Sequence, residues 1–379
     1  MVALAAGGTG GHLFPAQALA EELHARGIRC LMFCDERALR YADRFPPNTE
    51  LIETPSSTIT PGRPWKLPGQ GLRILKGILA AHARMKAEGA GCAVGFGGYP
   101  SLPPLLAARL LNIPLMTHDA GAVVGFANRL LAKFSAAMAV SFPRMANMRP
   151  EWQAKAVHTG NPVRRQVLQA AQEAGYAPPA EEEPVRLLVV GGSQGAHFFA
   201  EMVPDMVEAL PESLRARLAL TMQCREEDMA ATRARLERAG LKELALRSFF
   251  TDLPRYMARA HLVIARAGAS TLAELMVLGR PAVLIPYPHL ADGEQIINAR
   301  AFEQAGAGRM VAQEEATGAR MAALLTELLG APEWLMAAHE AALAMARPDA
   351  AQRMADMVED LLNRKLPERK TDEKKQGGV

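Results

Sequence analysis

VALAAGGTGGH, residues 2–12, and VRLLVVGGSQGAH, residues 185–197, decide the fold of this 379-residue chain. In both stretches a short apolar run leads into a glycine-rich turn, and a segment with helical spacing follows. Buried parallel strands are continuously aliphatic, glycines let backbone N–H groups approach a ligand, and a helix N-terminus attracts phosphate. The repetition therefore predicts two similar α/β half-molecules that bind a nucleotide or a sugar nucleotide.

The composition is that of a globular protein, with 49% hydrophobic and 22% charged residues. The four cysteines form no C-x-x-C pair, which favours a reducing compartment such as the cytoplasm and argues against structural zinc. Met1 leads straight into the first apolar run, so we expect no signal peptide. Since the sequence has no uninterrupted apolar run of membrane-spanning length, we also expect no transmembrane segment.

Charge is distributed unevenly along the chain. Residues 1–164 hold 18 Lys and Arg against 10 Asp and Glu, a net +8, whereas the remaining residues hold 25 against 30, a net −5. The first half is therefore expected to face an anionic partner, such as a diphosphate substrate or an anionic lipid surface. Aromatic residues make up only 5% of the chain and are not interleaved with basic ones, so we expect no nucleic-acid partner.

The segment Leu72 to Lys86 is predicted to be an amphipathic helix. Two interpretations stay open for its apolar residues Leu72, Leu75, Ile78 and Leu79. They pack on the sheet of an ordinary domain, or they lie with the neighbouring basic residues in a membrane interface.

Further aliphatic runs alternate with helical segments along the whole chain. This alternation predicts a doubly wound parallel sheet in each half, with ligands bound at the carboxyl ends of the strands. We place the first domain at residues 1–162 and the second at residues 163–335. Residues 336–365 are expected to form C-terminal helices that pack back on the first domain, and residues 366–379 a disordered tail.

The stretch ARAGASTLAE, residues 265–274, is the most informative one in the second half. A strand ends, a glycine turn follows and a helix begins. One interpretation is a capping box formed by Thr271 and Glu274, which needs no ligand. The other is a nucleotide site, in which the turn holds a diphosphate and Glu274 accepts hydrogen bonds from two ribose hydroxyls. The motifs that follow, residues 279–286 and 292–299, favour the nucleotide site.

Seven motifs in fixed order resemble those of the bacterial peptidoglycan glycosyltransferases of family 28, which have the GT-B fold of two Rossmann-like domains and an interdomain cleft. They are GGTGGH (7–12), GFGGYPS (95–101), TGNPVR (159–164), VVGGSQGA (189–196), RAGASTLAE (266–274), GRPAVLIPYP (279–288) and EQIINA (294–299). The resemblance covers residues 1–311.

This resemblance implies an activity and a set of partners. Family members transfer N-acetylglucosamine, with inversion, from UDP-N-acetylglucosamine to the C4 hydroxyl of the muramoyl sugar of lipid I, an undecaprenyl-diphosphate-linked muramoyl peptide, and the product is lipid II. The implied location is peripheral, on the cytoplasmic face of the plasma membrane. The implied partners include the anionic membrane surface and other cell-wall enzymes, and no cofactor is expected.

The resemblance also assigns roles to individual positions. Thr9, Gly10 and Gly11 would lie near the donor diphosphate and the acceptor, while Arg164 and Ser193 would contact donor phosphate or sugar. Phe250 would contact the uracil through its backbone, and Gln295 would hold the hydroxyls of the donor sugar. The nucleotide would be held by the run Ala269, Ser270, Thr271, Leu272, Ala273 and Glu274.

Two positions depart from the family pattern. Where the family usually has His-Glu-Gln-Asn, this chain has His118-Asp119-Ala120-Gly121. A donor contact at Gly121 would therefore have to come from backbone or water. Glu294 stands where a second glutamine or a histidine is common, which puts the contact at Glu294 in doubt but leaves the one at Gln295.

Inverting transfer needs a base for the acceptor hydroxyl and stabilisation of the leaving UDP. His12 stands at the start of a helix, whose dipole favours the neutral and basic ring, so we predict that it is the base. Hydrogen bonding within the turn is its alternative role, and Asp119 is the second candidate base. Because the chain has no Asp-x-Asp pair, we predict a metal-independent site in which Arg164 and helix N-termini stabilise the leaving group.

Two other functions stay open at this stage. One is a related GT-B transferase that acts on another lipid acceptor, such as diacylglycerol. The other is a catalytically silent binder of sugar nucleotides, a hypothesis that follows from the altered sequence around Gly121.

Overall fold

The computed structural model describes residues 1–7, 10–58, 67–192, 197–288 and 293–363. Two residues with predicted site roles, Thr9 and Ser193, lie outside these ranges, as does the predicted tail at 366–379.

Among the residues described, the first domain contains a parallel sheet of seven strands with helices between them. Its sheet order is β3-β2-β1-β4-β5-β6-β7. The strands are β1 (Val2–Ala5), β2 (Cys30–Cys34), β3 (Thr49–Glu53), β4 (Cys92–Gly95), β5 (Leu115–Asp119), β6 (Ala137–Val140) and β7 (Ala156–His158). The helices are α1 (Gly10–Ala25), α2 (Glu36–Leu39), α3 (Leu67–Ala87), α4 (Leu102–Leu110), α5 (Phe126–Leu131) and α6 (Pro150–Gln153).

The second domain repeats this plan with six parallel strands in the order β10-β9-β8-β11-β12-β13. The strands are β8 (Val185–Val190), β9 (Leu218–Gln223), β10 (Glu243–Arg247), β11 (Leu262–Ala265), β12 (Ala282–Leu284) and β13 (Gly308–Met310). The helices up to β13 are α7 (Arg165–Glu173), α8 (His197–Ala209), α9 (Glu212–Arg215), α10 (Glu226–Arg238), α11 (Leu253–Arg259), α12 (Ala269–Leu278) and α13 (Glu294–Gln304). The predicted fold class, two doubly wound parallel-sheet domains, is confirmed.

The central strands are buried on both faces. Every residue of β1, β2, β4 and β11 is buried, so these strands are the continuous aliphatic runs that the sequence shows. Three strands, β3, β10 and β13, lack the continuous aliphatic run of the central strands. All three lie at sheet edges, where one side of the strand faces solvent and charged residues replace the aliphatic run.

The strand order reverses next to the first strand of each sheet, between β1 and β4 and again between β8 and β11. In open parallel sheets the crevice outside this switch point binds the ligand. The glycine turns at Gly7, Gly97 and Gly98 follow β1 and β4, and those at Gly191 and Gly268 follow β8 and β11. Each domain therefore brings two glycine turns together at its switch point.

The last helices divide between the domains. They are α14 (Gly318–Leu329), α15 (Pro332–Met345) and α16 (Ala350–Asn363). The expectation that the whole segment 336–365 packs on the first domain is wrong for α15, which lies against α12 and α14. By contrast, α16 packs on α1, where Arg26 forms ion pairs with Asp356 at 2.6 Å and with Glu359 at 3.0 Å. The chain therefore returns to the first domain after α15.

Candidate active site

His12 lies at the switch point of the first domain, in the first turn of α1. The turn after β4 passes directly over its ring. A Cβ atom placed on Gly97 or Gly98 would come within 3.3 Å of the imidazole, and both glycines have positive φ, 83° and 73°. Only glycine allows this approach at no steric cost. Burial lowers the pKa of His12, so the ring is neutral at neutral pH.

A cavity of about 640 Å³ opens beside His12 in the first domain. Cavities of this size hold small-molecule ligands. Charged groups from several elements line it, among them Asp35, Arg37, Glu53 and Arg73. The cavity therefore offers the imidazole a polar ligand space, and Asp119 is not among its lining residues.

Asp119, the second candidate base, ends β5 and is only 5% exposed. Its Oδ1 accepts hydrogen bonds from the backbone N–H of Gly125 and from Asn128 Nδ2, both at 2.9 Å, while Oδ2 is buried without a partner among the residues described. Burial raises the pKa of Asp119 to about 7, and the nearby Glu294 adds to the rise. The same asparagine donates to the carbonyl of His118 at 2.8 Å and so fixes the end of the strand.

The second domain contributes the N-terminus of α12. The helix begins at Ala269 with Gly268 as its N-cap, and glycine has no side chain that could cap it. The capping-box interpretation of Thr271 and Glu274 is therefore wrong, because Thr271 lies inside the first turn and not at the N-cap position. The first N–H groups of α12 have no side-chain acceptor from the cap residue, which leaves them suited to an anion.

The side chains of the predicted nucleotide-binding run, residues 269–274, differ in their exposure to solvent. Ser270 and Thr271 are partly exposed, whereas Leu272 is fully buried in the hydrophobic core of the domain. A ligand contact at Leu272 is therefore limited to its backbone. Glu274 is 6% exposed, and its Oε1 accepts a hydrogen bond from Arg164 Nη2 at 2.7 Å.

The two domains touch at the helix N-termini. Ser270 Oγ donates to the carbonyl of Gly11 at 3.5 Å, and the guanidinium of Arg164 lies 4.7 Å from the centre of the Phe14 ring. Gly10 packs on the same phenylalanine, since a Cβ atom there would lie 2.9 Å from the ring. The starts of α1 and α12 therefore face each other across the cleft.

A second interdomain contact forms beside Gly121. The backbone N–H of Ala122 donates to Asn298 Oδ1 at 2.7 Å, and Asn298 Nδ2 donates to the carbonyl of Ala267 at 3.1 Å. A Cβ atom on Gly121 would lie 2.5 Å from Glu294 Oε1 and 3.0 Å from Asn298 Oδ1. The missing side chain at Gly121 is therefore what lets α13 approach β5 this closely.

Two further predicted residues lie beyond the carboxyl ends of strands in the second sheet. Gln295 lies in the first turn of α13, and its Oε1 accepts a hydrogen bond from the backbone N–H of Tyr287 at 2.9 Å. Phe250 follows β10, is buried, and packs edge-on against Tyr256 with ring centres 5.1 Å apart. Like the turns, these residues follow the carboxyl ends of strands.

Sequence reasoning missed two residues of this region, Asn128 and Asn298. The available signal for Asn298 was its place in the quoted EQIINA motif. Its side chain is fully buried, and buried polar side chains are hydrogen-bonded. Asn128 gave no signal, because only the fold brings α5 next to the end of β5. Within the described ranges no three His, Cys, Asp or Glu side chains group in a way that could hold a metal ion.

Two parallel α/β domains, each presenting a glycine turn and a helix N-terminus to a shared cleft, define a protein of the GT-B class that handles sugar nucleotides. The family comparison agrees. Residues 2–140 match the glycosyltransferase family 28 N-terminal domain, and residues 186–354 match the glycosyltransferase family 28 C-terminal domain. The chain belongs to glycosyltransferase family 28 and is an enzyme of the UDP-sugar glycosyltransferase kind.

Curated relatives are similar over nearly the whole chain. A protein of Methylobacterium nodulans is 46% identical over 359 residues, which cover 94% of this chain and 96% of the relative. A protein from a strain of Rhodopseudomonas palustris is 45% identical over 360 residues, with coverage of 94% and 97%. Both are named UDP-N-acetylglucosamine--N-acetylmuramyl-(pentapeptide) pyrophosphoryl-undecaprenol N-acetylglucosamine transferase.

Solved structures show the same architecture. MurG of Acinetobacter baumannii is 28% identical and superposes with a TM-score of 0.76, covering 95% of this chain and 99% of that one. CalG4, the calicheamicin glycosyltransferase, superposes with a TM-score of 0.64 at 18% identity, covering 97% and 99%, and so shares the fold.

Proposed function

We propose that this enzyme transfers N-acetylglucosamine from UDP-N-acetylglucosamine to the C4 hydroxyl of the muramoyl sugar of lipid I, with inversion, and so forms lipid II. The meeting of the α1 and α12 N-termini across the cleft, with Ser270 Oγ 3.5 Å from the carbonyl of Gly11, carries the proposal. A donor diphosphate bound at the α12 N-terminus would lie next to the acceptor domain. The names of the full-length relatives support this choice of donor and acceptor.

His12 is the general base in this proposal. It borders the cavity of the first domain, and the lowered pKa keeps its ring neutral and able to accept a proton. The acceptor hydroxyl lies in that cavity, gives its proton to the imidazole and attacks the anomeric carbon as the bond to UDP breaks. Asp119 positions the loop that follows β5, because its Oδ1 is already engaged by Gly125 and Asn128.

The leaving UDP is stabilised by the second domain. The backbone N–H groups of Ala269, Ser270 and Thr271 donate hydrogen bonds to the diphosphate. Glu274 accepts hydrogen bonds from the ribose hydroxyls. Arg164, which already pairs with Glu274, supplies positive charge next to this site. Gln295 holds hydroxyls of the donor sugar and Phe250 contacts the uracil. Gln295 follows β12 and Phe250 follows β10, so both lie at the carboxyl ends of strands, as does the start of α12 after β11.

Peripheral binding to an anionic membrane surface is the second part of the proposal. The buried residues of α3 are the small or slender Gly77, Ala81 and Met85, not the leucines that the amphipathic pattern suggested for the core. Leu72, Leu75 and Leu79 are instead 55%, 49% and 60% exposed and lie beside basic residues of the same helix. Among the described residues no helix is long and apolar enough to cross a bilayer. An apolar and basic face of this kind suits an anionic membrane interface.

The test is a transfer assay with purified protein, UDP-N-acetylglucosamine and a short-chain analogue of lipid I, in the presence of EDTA. We expect UDP release together with a β-1,4-linked disaccharide product. Diacylglycerol serves as the competing acceptor. Transfer to diacylglycerol alone would replace the proposed acceptor, and UDP binding without transfer to either acceptor would contradict the proposal as a whole. Loss of transfer on adding EDTA alone would contradict its metal independence.

A further inference from the structure

A second cavity, of about 570 Å³, lies in the second domain at the amino ends of the strands. Arg186 is the second residue of β8, His261 directly precedes β11, and Arg280 comes just before β12. The donor turns follow the opposite ends of the same strands. At roughly 3.3 Å per residue, the six-residue β8 separates this cavity from the cleft by about 20 Å.

The cavity is rich in arginine. Arg186, Arg259 and Arg280 line it, and in the part of the chain that the structure describes none of them forms an ion pair within 4.0 Å. Glu173 and Glu183 are the acidic lining residues. The positive charge facing the cavity is therefore not neutralised by direct pairing.

Arg280 is the least expected of the three because it is only 2% exposed. Its Nη2 donates to the carbonyl of Gly175 at 3.1 Å, and its guanidinium lies 4.9 Å from the centre of the Tyr176 ring. Within the described ranges its Nε has no hydrogen-bond partner. A buried guanidinium without a carboxylate is costly. An anion bound in the cavity would provide the missing counter-charge.

Two donors also converge on one point of this cavity. The backbone N–H of Arg186 donates to His261 Nδ1 at 3.0 Å, so the proton of the neutral ring lies on Nε2. His261 Nε2 lies 3.4 Å from Arg186 Nη1, which is also a donor. Burial and the surrounding arginines lower the pKa of His261 to about 4, so the ring stays neutral. Two N–H donors this close together can both be satisfied by one acceptor oxygen that lies beside the pair, within hydrogen-bond distance of each nitrogen.

We propose that this cavity binds a phosphate group, as free phosphate, a phosphate ester or a lipid headgroup, at a site separate from the donor cleft. One phosphate oxygen accepts from His261 Nε2 and Arg186 Nη1, while Arg259 and Arg280 supply the remaining positive charge. Phosphate suits the site because it presents several acceptor oxygens to donors that approach from different strands.

The experiment follows the imidazole signals of the full-length chain by NMR while inorganic phosphate is added at constant ionic strength. Saturating UDP occupies the donor cleft throughout, and the His261 signal is assigned from a His261→Gln variant. We expect a saturable shift of the His261 signal. Arg186 and Arg259 are exposed, and replacing either with glutamine, Arg186→Gln or Arg259→Gln, should weaken phosphate binding about tenfold. Arg238→Gln, an equally exposed change on α10 of the same domain, should leave it unchanged.

Vesicles containing phosphatidylglycerol form the second arm of the experiment. A shift of the His261 signal with vesicles but not with inorganic phosphate would identify the source as a lipid headgroup. The absence of a saturable shift with either probe would overturn the proposal. Equal phosphate affinity in the wild type, Arg186→Gln and Arg259→Gln would overturn it too, because the shift would then arise elsewhere.

Discussion

Arg164 Nη2 and Glu274 Oε1 form a hydrogen-bonded ion pair of 2.7 Å, with only 16% and 8% of the two side chains exposed. Arg164 occupies the N-cap position of α7, directly after the end of the first domain, whereas Glu274 lies inside α12. The pair therefore connects the entry to the second domain with the helix that is proposed to hold the nucleotide. The carboxylate keeps acceptor capacity for ribose hydroxyls while the arginine holds it in place.

Glu274→Gln should raise the donor KM about tenfold or more, because charge-assisted hydrogen bonds to the ribose become neutral ones. Arg164→Met should lower the free energy of unfolding by about 3–5 kcal/mol, since it leaves a largely buried carboxylate without its partner. Donor titrations and denaturant unfolding measure the two effects. The control is Arg165→Met, at the next position along the chain. An unchanged donor KM in Glu274→Gln would contradict the ribose contact.

His12→Ala should lower kcat by about 10²–10⁴-fold while the donor KM stays near that of the wild type, because the base is lost but the nucleotide site is not. UDP release with the lipid I analogue measures both constants. His24→Ala changes an exposed histidine at the other end of the same helix and should retain full activity. A kcat of His12→Ala comparable to that of His24→Ala would rule out His12 as the base.

Asp119 should make the protein less stable as the pH rises. Its folded-state pKa of about 7 lies above the unfolded value of 3.8, so between these values the folded state binds a proton that the unfolded state does not. Its contribution to stability is therefore highest below the unfolded pKa and falls as the pH rises to about 7.

The measurement compares the unfolding free energy of Asp119→Asn with that of the wild type. The difference, variant minus wild type, should grow by roughly 1–4 kcal/mol between about pH 5 and about pH 8, because the amide stays uncharged. Asp43→Asn, an exposed position of the same domain, should show a much smaller change. A pH-independent difference between Asp119→Asn and the wild type would mean that burial does not raise the pKa of the Asp119 carboxyl group.

Gly121→Ala should push α13 away from β5. The new Cβ would meet Glu294 Oε1 at 2.5 Å and the buried Asn298 at 3.0 Å, and Asn298 is held by two hydrogen bonds. Overpacking of this kind costs about 1–3 kcal/mol. We expect a lower denaturation midpoint and a several-fold higher donor KM, as Gln295 lies on α13.

Gly125→Ala is the matched control for this substitution. It lies in the same loop, and its Cβ would have only an ordinary contact of 3.6 Å with Asp119 Oδ1. Equal effects of the two alanine substitutions would show that the close approach at Gly121 has no special role.

Replacing the exposed leucines of α3 should release the protein from membranes. Leu75→Gln/Leu79→Gln should lower binding to phosphatidylglycerol vesicles about a hundredfold or more, since each buried leucine contributes about 1.5–3 kcal/mol. Leu343→Gln, 44% exposed on α15, should leave vesicle binding unchanged. Sedimentation with vesicles measures the bound fraction. Retained binding in the double variant would refute the assignment of this face to the membrane.

The sequence by itself determined the two-domain parallel α/β fold and the place of the glycine turns. Buried strands must be continuously aliphatic and tight turns over a ligand need glycine, so both leave a local pattern that can be read without the structure. The edge strands β3, β10 and β13 could not be predicted, because strands that are half exposed to solvent lack that pattern. Family resemblance supplied the choice of donor and acceptor.

Only the tertiary structure decided which side chains meet. The contact of Ser270 with Gly11, the pairing of Arg164 with Glu274 and the insertion of α13 beside Gly121 each join residues more than 100 positions apart. The outward orientation of the leucines on α3 was likewise undecided, since an amphipathic pattern does not say which face a neighbour covers. Such contacts depend on how distant segments of the chain pack against one another, and this packing leaves no periodicity in the sequence.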